Sequence, residues 1–224
     1  MKINKFIEKK IGINYSLFYL KNLKNGIANI IANFIKKISL NQIKGFCVYK
    51  IIFKNIKNEI SYIKGIKEDI IDIVLNIKNV IFKIKNNKTT FFLKNYFLGP
   101  IYAYNIKTLN KNIKILNPSH LIANAIIKTK LNILIKVKKG KGYINNNEKK
   151  KFKYYNKEKK KIVIYLDTNY TPVKKFFFKI KKKIIKKKYE DLKIYIKTNG
   201  ILKPKKIIKK SLNIFIKKIK KINI

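Results

Sequence analysis

Residues 27–40 read IANIIANFIKKISL, and this stretch decides the class of fold. Its apolar residues recur with the i, i+3, i+4, i+7 spacing that places side chains along one face of a helix. They stand at positions 27, 30, 31, 34, 35 and 38. Gly26 interrupts the chain directly before the segment. The pattern predicts an amphipathic helix over these residues.

Two other segments show helical periodicity. Residues 66–79 place Glu68 and Asp69 in a predicted first turn, where the helix dipole favours negative charge. Asn79 falls where a left-handed C-terminal cap is expected. Residues 204–222 begin with proline, which suits the first position of a helix. That last helix has a heptad-like apolar seam suited to packing against another helix, formed by Ile208, Leu212, Phe215, Ile219 and Ile222.

Short segments rich in β-branched and aromatic residues lie around these helices and predict strands. They cover 13–24, 46–54, 59–63, 80–84, 89–94, 113–116, 121–127, 131–137, 162–167, 171–180 and 192–198. Gly99-Pro100 predicts a turn, and residues 140–143 predict the entry to a loop. Residues 144–161 are polar and predict a surface loop, whereas the lysine-rich residues 181–188 resemble a linker. Together the segments predict an α+β protein.

The charge of the chain allows two interpretations. The 224 residues carry a formal net charge of +46, and all 56 basic residues are lysine because the sequence contains no arginine. Lysine, isoleucine and asparagine have A/T-rich codons, so an A/T-biased genome accounts for the charge without any function. A surface selected for nucleic acid usually retains arginine, whose planar fork contacts phosphate at two points. This argument favours compositional drift and leaves a functional basic surface as the alternative.

Few residues suggest chemistry of their own. Glu68 and Asp72 stand one helical turn apart and could bind a metal or act as an acid–base pair, but a solvated first turn is favoured. His120 is expected to be a hydrogen-bonded residue of a turn, and Cys47 a small buried apolar residue. No set of nucleophile, base and orienting group is recognisable. A self-contained enzyme is therefore not expected.

Other patterns also have a structural and a functional interpretation. Gly140-Lys141-Gly142 resembles a fragment of a phosphate-binding loop, but a turn is favoured because the motif lacks the length and the Ser/Thr. Aromatic residues are interleaved with lysine at 152–155 and 176–179, where they could stack on bases, but strand cores give the same pattern and are favoured. The N-terminus lacks the apolar region of a secretory signal, and no apolar run reaches the length of a membrane span.

Taken in order, several motifs resemble the N-terminal domain of the α subunit of bacterial-type DNA-directed RNA polymerase. Residues 68–80, EDIIDIVLNIKNV, are the most specific match. Residues 32–37 are similar to the family's Gly-Asn-Ala-Leu-Arg-Arg signature, with Asn33 kept and both arginines replaced by lysine. Further matches follow in the family's order at Gly99-Pro100-Ile101, Asn117-Pro118 with His120, Gly140-Lys141-Gly142-Tyr143, Tyr170-Thr171-Pro172-Val173 and Thr198-Asn199-Gly200.

The resemblance implies an α+β architecture of two subdomains. Residues 1–50 and 172–224 are expected to form a dimerisation subdomain, a sheet plus two helices built from both chain ends. Residues 51–171 are expected to form an inserted, mostly β subdomain. The family's C-terminal DNA-binding domain is expected to be absent, since the sequence stops at Ile224.

The resemblance also implies a function without catalysis in this chain. The expected subunit forms a homodimer and scaffolds assembly of the β and β′ subunits of the nucleotidyltransferase complex that performs transcription. The expected large-subunit interface comprises Asn33, Lys36, Lys37, Leu75, Asn76 and Lys78. The expected dimer interface comprises Ile27, Ile31, Phe34, Ile35, Ile38, Ile208, Leu212, Phe215 and Ile219.

Cofactors, location and the competing function are also expectations at this point. No cofactor or metal is expected in this chain, and Mg²⁺ is expected in the large subunits. Contact with DNA is expected to be indirect or non-specific, and no membrane partner is expected. The composition suggests the cytoplasm of a bacterial endosymbiont with a reduced genome, with a plastid as the alternative. The competing function is a lysine-rich, ribosomal-type RNA-binding protein, which the net charge favours and the missing arginine disfavours.

Overall fold

A computed structural model describes residues 6–54, 63–108, 113–145, 155–156, 161–185 and 187–220. This part of the chain is α+β, as the sequence predicts. Its helices are α1 (Ile27–Asn41), α2 (Ile70–Lys78) and α3 (Pro204–Ile219), with a short 3₁₀ turn at Ala103–Asn105. No helix among the described residues is long and apolar enough to cross a membrane.

The strands of the described residues are numbered in chain order. They are β1 (Ile7–Gly12), β2 (Tyr15–Lys24), β3 (Lys44–Lys54), β4 (Phe82–Ile84), β5 (Lys88–Asn95), β6 (Gly99–Tyr102), β7 (Ile106–Lys107), β8 (Ile113–Ile115), β9 (Leu121–Ala125), β10 (Leu131–Lys141), β11 (Tyr143–Ile144), β12 (Tyr155–Asn156), β13 (Lys161–Tyr165), β14 (Thr168–Asn169), β15 (Val173–Ile185) and β16 (Lys187–Thr198).

The chain divides into two compact units. One unit contains both ends of the chain, up to Gly45 and again from Thr171, and the other runs from Phe46 to Tyr170. The sequence interpretation places the first boundary at residue 50, whereas in the structure β3 continues through that residue without a break.

The unit built from the chain ends is a two-layer structure. Its four strands form an antiparallel sheet in the order β1-β2-β16-β15. Helices α1 and α3 pack against each other and against one face of this sheet. Every second residue of a strand points to the same face. Phe18, Leu192 and Ile194 therefore lie together under the helices, where each is at most 2% exposed.

A bulge in this sheet aims two neighbouring acidic residues in different directions. Between the pairs Glu190↔Leu23 and Leu192↔Leu20, two residues of β2 stand opposite one residue of β16. One of the two is Asn22, whose φ of 57° is left-handed, a conformation that asparagine tolerates better than most residues. The extra residue allows Glu190 to reach toward α1 while Asp191 bonds to the backbone of the bulge.

The described residues of the second unit are mostly β structure with one α-helix. Its main sheet has the order β12-β13-β3-β10-β5-β7, and three two-stranded pairs join β11 with β14, β4 with β8, and β6 with β9. Helix α2 contacts β9 and buries Ile70, Ile73, Val74 and Ile77 in the core of this unit. Asp69 starts the helix, because its side chain accepts a hydrogen bond from the backbone N–H of Asp72 at 2.6 Å.

The prediction of a linker at 181–188 is wrong. β15 and β16 are paired antiparallel over the described residues on both sides of position 186, with Lys181 opposite Asp191 and Lys182 opposite Glu190. Lys183 Nζ lies 2.6 Å from an Asp191 carboxylate oxygen. Glu190 and Asp191 offset the charge of the lysines opposite them and so make a sheet possible here. Both residues follow the lysine-rich segment, so the segment by itself gives no sign of them.

Several element boundaries also differ from the predictions. α2 starts at Ile70 instead of residue 66 because Asp69 is its cap, and Asn79 is right-handed with φ −82°. Gly99-Pro100 begins a strand and is not a turn, and Gly140 and Lys141 extend β10. The sequence interpretation has no equivalent of β1. Most of 59–63 and 144–161, and Ile222, lie outside the described residues.

Candidate functional site

Small residues attach α1 to its sheet. Ala28 and Ala32 have no exposed surface, and Ile35 is 1% exposed. Ala residues allow a helix backbone to approach a sheet closely, so the buried face of α1 is centred on them. The predicted apolar stripe is therefore divided, since Ile35 and Ile38 lie in the protein's own interior while Ile27 and Ile30 face outward.

The outward part of the stripe joins a similar part of α3. The rings of Phe34 and Phe215 are in contact, with centroids 3.8 Å apart and planes tilted by 50°. Around this pair, Ile30 is 67% exposed, Ile216 is 50% exposed and Ile219 is 49% exposed. We call this the helical apolar surface; it comprises Ile27, Ile30, Ile31, Phe34, Leu212, Phe215, Ile216 and Ile219.

Six of the nine residues expected at a dimer interface belong to the helical apolar surface. The other three, Ile35, Ile38 and Ile208, are at most 4% exposed and pack inside the unit, so a second copy cannot reach them. Two exposed residues, Ile30 and Ile216, join this surface although the sequence analysis does not place them at the interface. The burial of Ala28 and Ser211 fixes which side of each helix faces the sheet and therefore leaves Ile30 and Ile216 exposed. The types of these residues alone do not predict that orientation.

Glu190 fixes the start of α1 from a distant strand. Gly26 precedes the helix in the left-handed conformation and has no side chain for capping. A carboxylate oxygen of Glu190 instead accepts the backbone N–H of Ala28 at 3.3 Å, and Glu190 is only 4% exposed. An acidic group at a helix N-terminus also interacts favourably with the helix dipole. The orientation of the helical apolar surface thus depends on β16.

The polar residues expected to bind the large subunits lie on another side of α1. Asn33, Lys36 and Lys37 are all exposed. Asn33 Nδ2 donates to Asn29 Oδ1 at 2.8 Å, one turn earlier on the same helix. This bond stays within the helix, and all three residues keep exposed surface that a partner can contact.

The end of α2 carries the other expected contact residues, which belong to the second unit. Leu75 is 50% exposed, and Lys78 is exposed as well. Asn76 Nδ2 donates to the backbone oxygen of Ile122 at 3.0 Å, and His120 Nε2 lies 3.0 Å from the backbone oxygen of Asn76. Asn76 is therefore held in place by its own unit, and the prediction that His120 is a hydrogen-bonded turn residue is confirmed.

A third side chain completes the support of this helix end. Asn117 Oδ1 accepts the backbone N–H of Ile81 at 2.8 Å, and its Nδ2 donates to the backbone oxygen of Asn79 at 3.2 Å. The segment that contains Asn117 and His120 thus joins the end of α2 through side chain–backbone bonds. These bonds hold the end of the helix that carries Leu75 and Lys78.

The remaining candidates for chemistry have structural roles. Glu68 lies before α2, and its two carboxylate oxygens accept the backbone N–H and the Nδ2–H of Asn124 at 2.6 and 2.8 Å. Glu68 therefore does not share a helix with Asp72, and the favoured interpretation of a solvated first turn is wrong for Glu68, because its carboxylate is bonded to Asn124. Burial raises the pKa of the Cys47 thiol, which disfavours the reactive thiolate. Among the described residues, no group of three or more potential ligands could hold a metal.

The Gly140 motif is also structural. A Cβ built at Gly140 would lie 2.6 Å from the ring of Tyr170, which is 1% exposed. Glycine is required there because the tyrosine ring packs directly on the backbone of β10. Gly142 has φ 61° and ends that strand. The motif therefore forms a strand end instead of a phosphate-binding loop.

Comparison with known families identifies the second unit. A family model described as the RNA polymerase Rpb3/RpoA insert domain matches residues 38–171, more than half of the chain. The chain belongs to this family of RNA polymerase α-type subunits. The match covers the end of α1, all of β3 and the whole second unit, including α2 and the residues that support it. It favours a transcription subunit over a ribosomal-type RNA-binding protein.

Proposed function

We propose that this RNA polymerase subunit forms a homodimer through the helical apolar surface and that the dimer holds the β and β′ subunits together. The observation that carries the proposal is the contact of Phe34 with Phe215 amid exposed isoleucines. Three isoleucines with about half or more of their surface exposed, Ile30, Ile216 and Ile219, form an apolar patch on two packed helices, and such patches mark interaction sites. A twofold dimer brings the same patch of both copies together.

The proposal assigns different sides of α1 to different partners. Pairing through the helical apolar surface leaves the exposed Lys36 and Lys37 free for a large subunit. Lysine provides one charged point where arginine provides a planar fork, so apolar contacts must contribute more to binding here. Leu75 is an exposed apolar residue that fits this requirement. The complex performs nucleotidyl transfer in its large subunits, in a bacterial cytoplasm or a plastid.

The test of the dimer uses exposed residues, so that the fold is preserved. The variant Ile30→Asp with Ile216→Asp introduces charges that pairing would bury at a cost of several kcal/mol. Light scattering should then report the monomer mass of 26.5 kDa instead of twice that mass. Ile13→Asp is the matched control, because Ile13 is 95% exposed and lies outside the helices. A dimer that survives the double change contradicts the proposed interface. The more disruptive Leu212→Asp with Phe215→Asp should give monomers or aggregates.

The large-subunit contact is tested separately by capture. Lys36→Glu with Lys37→Glu should abolish co-purification of co-expressed β subunit while the dimer persists, and Lys37→Ala should weaken capture. Lys205→Glu with Lys206→Glu makes the same charge change on exposed positions of α3 and should leave capture unchanged. Asn33→Ala should have a mild effect if its bond to Asn29 is its whole role. Normal assembly of the Lys36 and Lys37 double variant contradicts the assignment of this contact.

A further inference from the structure

The four-stranded sheet has a second face that no helix among the described residues of its unit covers. Helices α1 and α3 pack on the face that contains Phe18 and Ile194. Alternation along the strands places the neighbouring residues on the opposite face. We call this the outer face; its described residues include Ile7, Lys9, Tyr15, Leu17, Tyr19, Lys175, Phe177, Lys179, Lys193, Tyr195 and Lys197.

An apolar row crosses the middle of the outer face. The strand register places Phe177 opposite Tyr195, and Tyr195 opposite Leu17. The rings of Phe177 and Tyr195 are stacked, with centroids 4.3 Å apart and planes within 10° of parallel. Phe177 is 41% exposed, whereas Leu17 is only 6% exposed although it does not belong to the core under the helices. The outer face therefore presents an aromatic platform.

Lysine rows border this platform on both sides. Lys175 stands opposite Lys197 on one side, and Lys179 stands opposite Lys193 on the other. Each row is two residues from the platform along the strands, which corresponds to about 7 Å. Like charges directly opposite each other destabilise a sheet. Stability of the sheet thus does not explain these two pairs, and an anion bound between the lysines would relieve their repulsion.

Tyrosines extend the aromatic surface beyond the central row. Tyr15 stands beside Lys197, and Tyr19 stands beside Lys193. Lys193 Nζ lies 5.5 Å from the centre of the Tyr19 ring, within cation–π range. Asp191, at the edge of this face, is paired with Lys183 and bonded to the backbone of Asn22. The acidic group at this edge is thus already neutralised.

We propose that the outer face binds single-stranded RNA, with bases stacked on Phe177 and Tyr195 and phosphates beside the flanking lysines. Bases of any sequence have a face that stacks on an aromatic ring, and a lysine-lined groove follows the phosphate backbone. RNA-binding modules use a four-stranded sheet with exposed aromatic residues in the same way. A duplex fits poorly, because its bases are stacked on one another and cannot reach the rings. RNA is the chosen strand because it is the product of the enzyme to which this subunit belongs.

The proposal explains why lysine suffices on this face. Non-specific binding of a single strand needs positive charge and stacking, but it does not need the two-point contacts by which arginine reads guanine. The outer face is also separate from the helical apolar surface, because the two lie on opposite sides of the same sheet. The inference therefore rests on membership of the polymerase family and not on the proposed dimer.

The experiment measures binding of a fluorescent uridine dodecamer to the full chain by anisotropy, over a series of salt concentrations. Phe177→Ala and Tyr195→Ala should each weaken binding about tenfold or more, as loss of one stacked base predicts. Phe177→Tyr keeps a ring and should retain the affinity. Lys179→Gln with Lys193→Gln should reduce the slope of log affinity against log salt by about 1.4, since two phosphate contacts are lost.

Matched controls separate this site from the general charge of the chain. Tyr104→Ala removes another exposed aromatic residue, which stacks with Tyr102 in the second unit, and should not change binding. Lys205→Gln with Lys206→Gln removes the same charge from α3 and should change the salt slope less than the outer-face pair. Equal effects in the controls, tighter binding of a duplex or of the matching DNA strand, or no binding at physiological salt would each overturn the proposal.

Discussion

Helices α1 and α2 are both amphipathic, but they are anchored in different ways. α2 is capped by the adjacent Asp69 and packs through large residues such as Ile73 and Ile77. α1 follows a glycine, is capped by Glu190 of the distant strand β16, and packs through Ala28 and Ala32. A helix with a local cap and large buried residues is recognisable from its own segment. For a helix that depends on distant partners, the sequence predicts the length of the helix but not which of its sides is buried.

The largest expected effect is a difference in stability between substitutions on the buried and the exposed side of α1. Ile35→Ala should lower the free energy of unfolding by about 2–5 kcal/mol, because it removes buried methyl groups and leaves a cavity. Ile30→Ala changes the same residue type where it is 67% exposed, and the loss should be below about 0.5 kcal/mol in the monomer. Urea denaturation of monomeric variants measures both values. Similar losses at the two positions contradict the division of the stripe.

A second prediction tests the close approach of α1 to its sheet. Ala32 has no exposed surface, so Ala32→Leu should cost about 1–3 kcal/mol through overpacking. Lys37→Leu places the same side chain on the exposed side of the helix and should change stability little. Thermal unfolding compares the two variants, with both substitutions made in a chain that also carries Ile30→Asp and Ile216→Asp so that it stays monomeric. A neutral Ala32→Leu would mean that the helix does not pack tightly there.

Capping gives a smaller effect that compares the two helices directly. Asp69→Ala should lower the free energy of unfolding by about 1 kcal/mol. It should also speed hydrogen exchange at the Asp72 amide, with the effect confined to the first turn of α2. Glu190→Ala should cost a similar amount but act on the Ala28 amide, although the two residues are 162 positions apart. Glu190→Gln keeps an acceptor oxygen and should restore most of the protection at Ala28. Unchanged exchange at Ala28 in Glu190→Ala would refute the distant cap.

The smallest expected effect concerns Asp191, which holds the bulge beside Glu190. Burial opposes ionisation of Asp191, but hydrogen bonds from Lys183 and the backbone of Asn22 outweigh it and lower its pKa below the ordinary 3.8. A lowered pKa in the folded state adds stability above pH 3.8, and that stability is lost as the pH falls through the lowered value. Between about pH 5 and pH 2 the natural chain should therefore lose up to about 1 kcal/mol more than Asp191→Asn. Parallel stability curves for the two proteins would contradict this assignment.

The lysine-rich hairpin shows why part of the fold could not be predicted. Residues 181–188 resemble a linker, since six of the eight residues are lysine and none is acidic. In the structure, its partners Glu190 and Asp191 lie opposite after the chain reverses direction. The same limitation applies to Glu68, which was assigned to a helix although its carboxylate bonds to Asn124, 56 positions later. Side-chain partners at such distances in sequence leave no periodic signal.

The sequence alone determined the features that depend on neighbouring residues. These are the α+β class, the cap region and apolar periodicity of α2, the proline at the start of α3, and the ordered motifs of the polymerase family. The run of three phenylalanines at 176–178 is visible in the sequence too, but only pairing with β16 assigns Phe177 to the outer face. The tertiary structure decided which side of α1 is exposed, where its cap comes from and which lysines border the aromatic platform. Each of these depends on contacts between distant segments, because burial and charge pairing are properties of the packed chain and not of the local pattern.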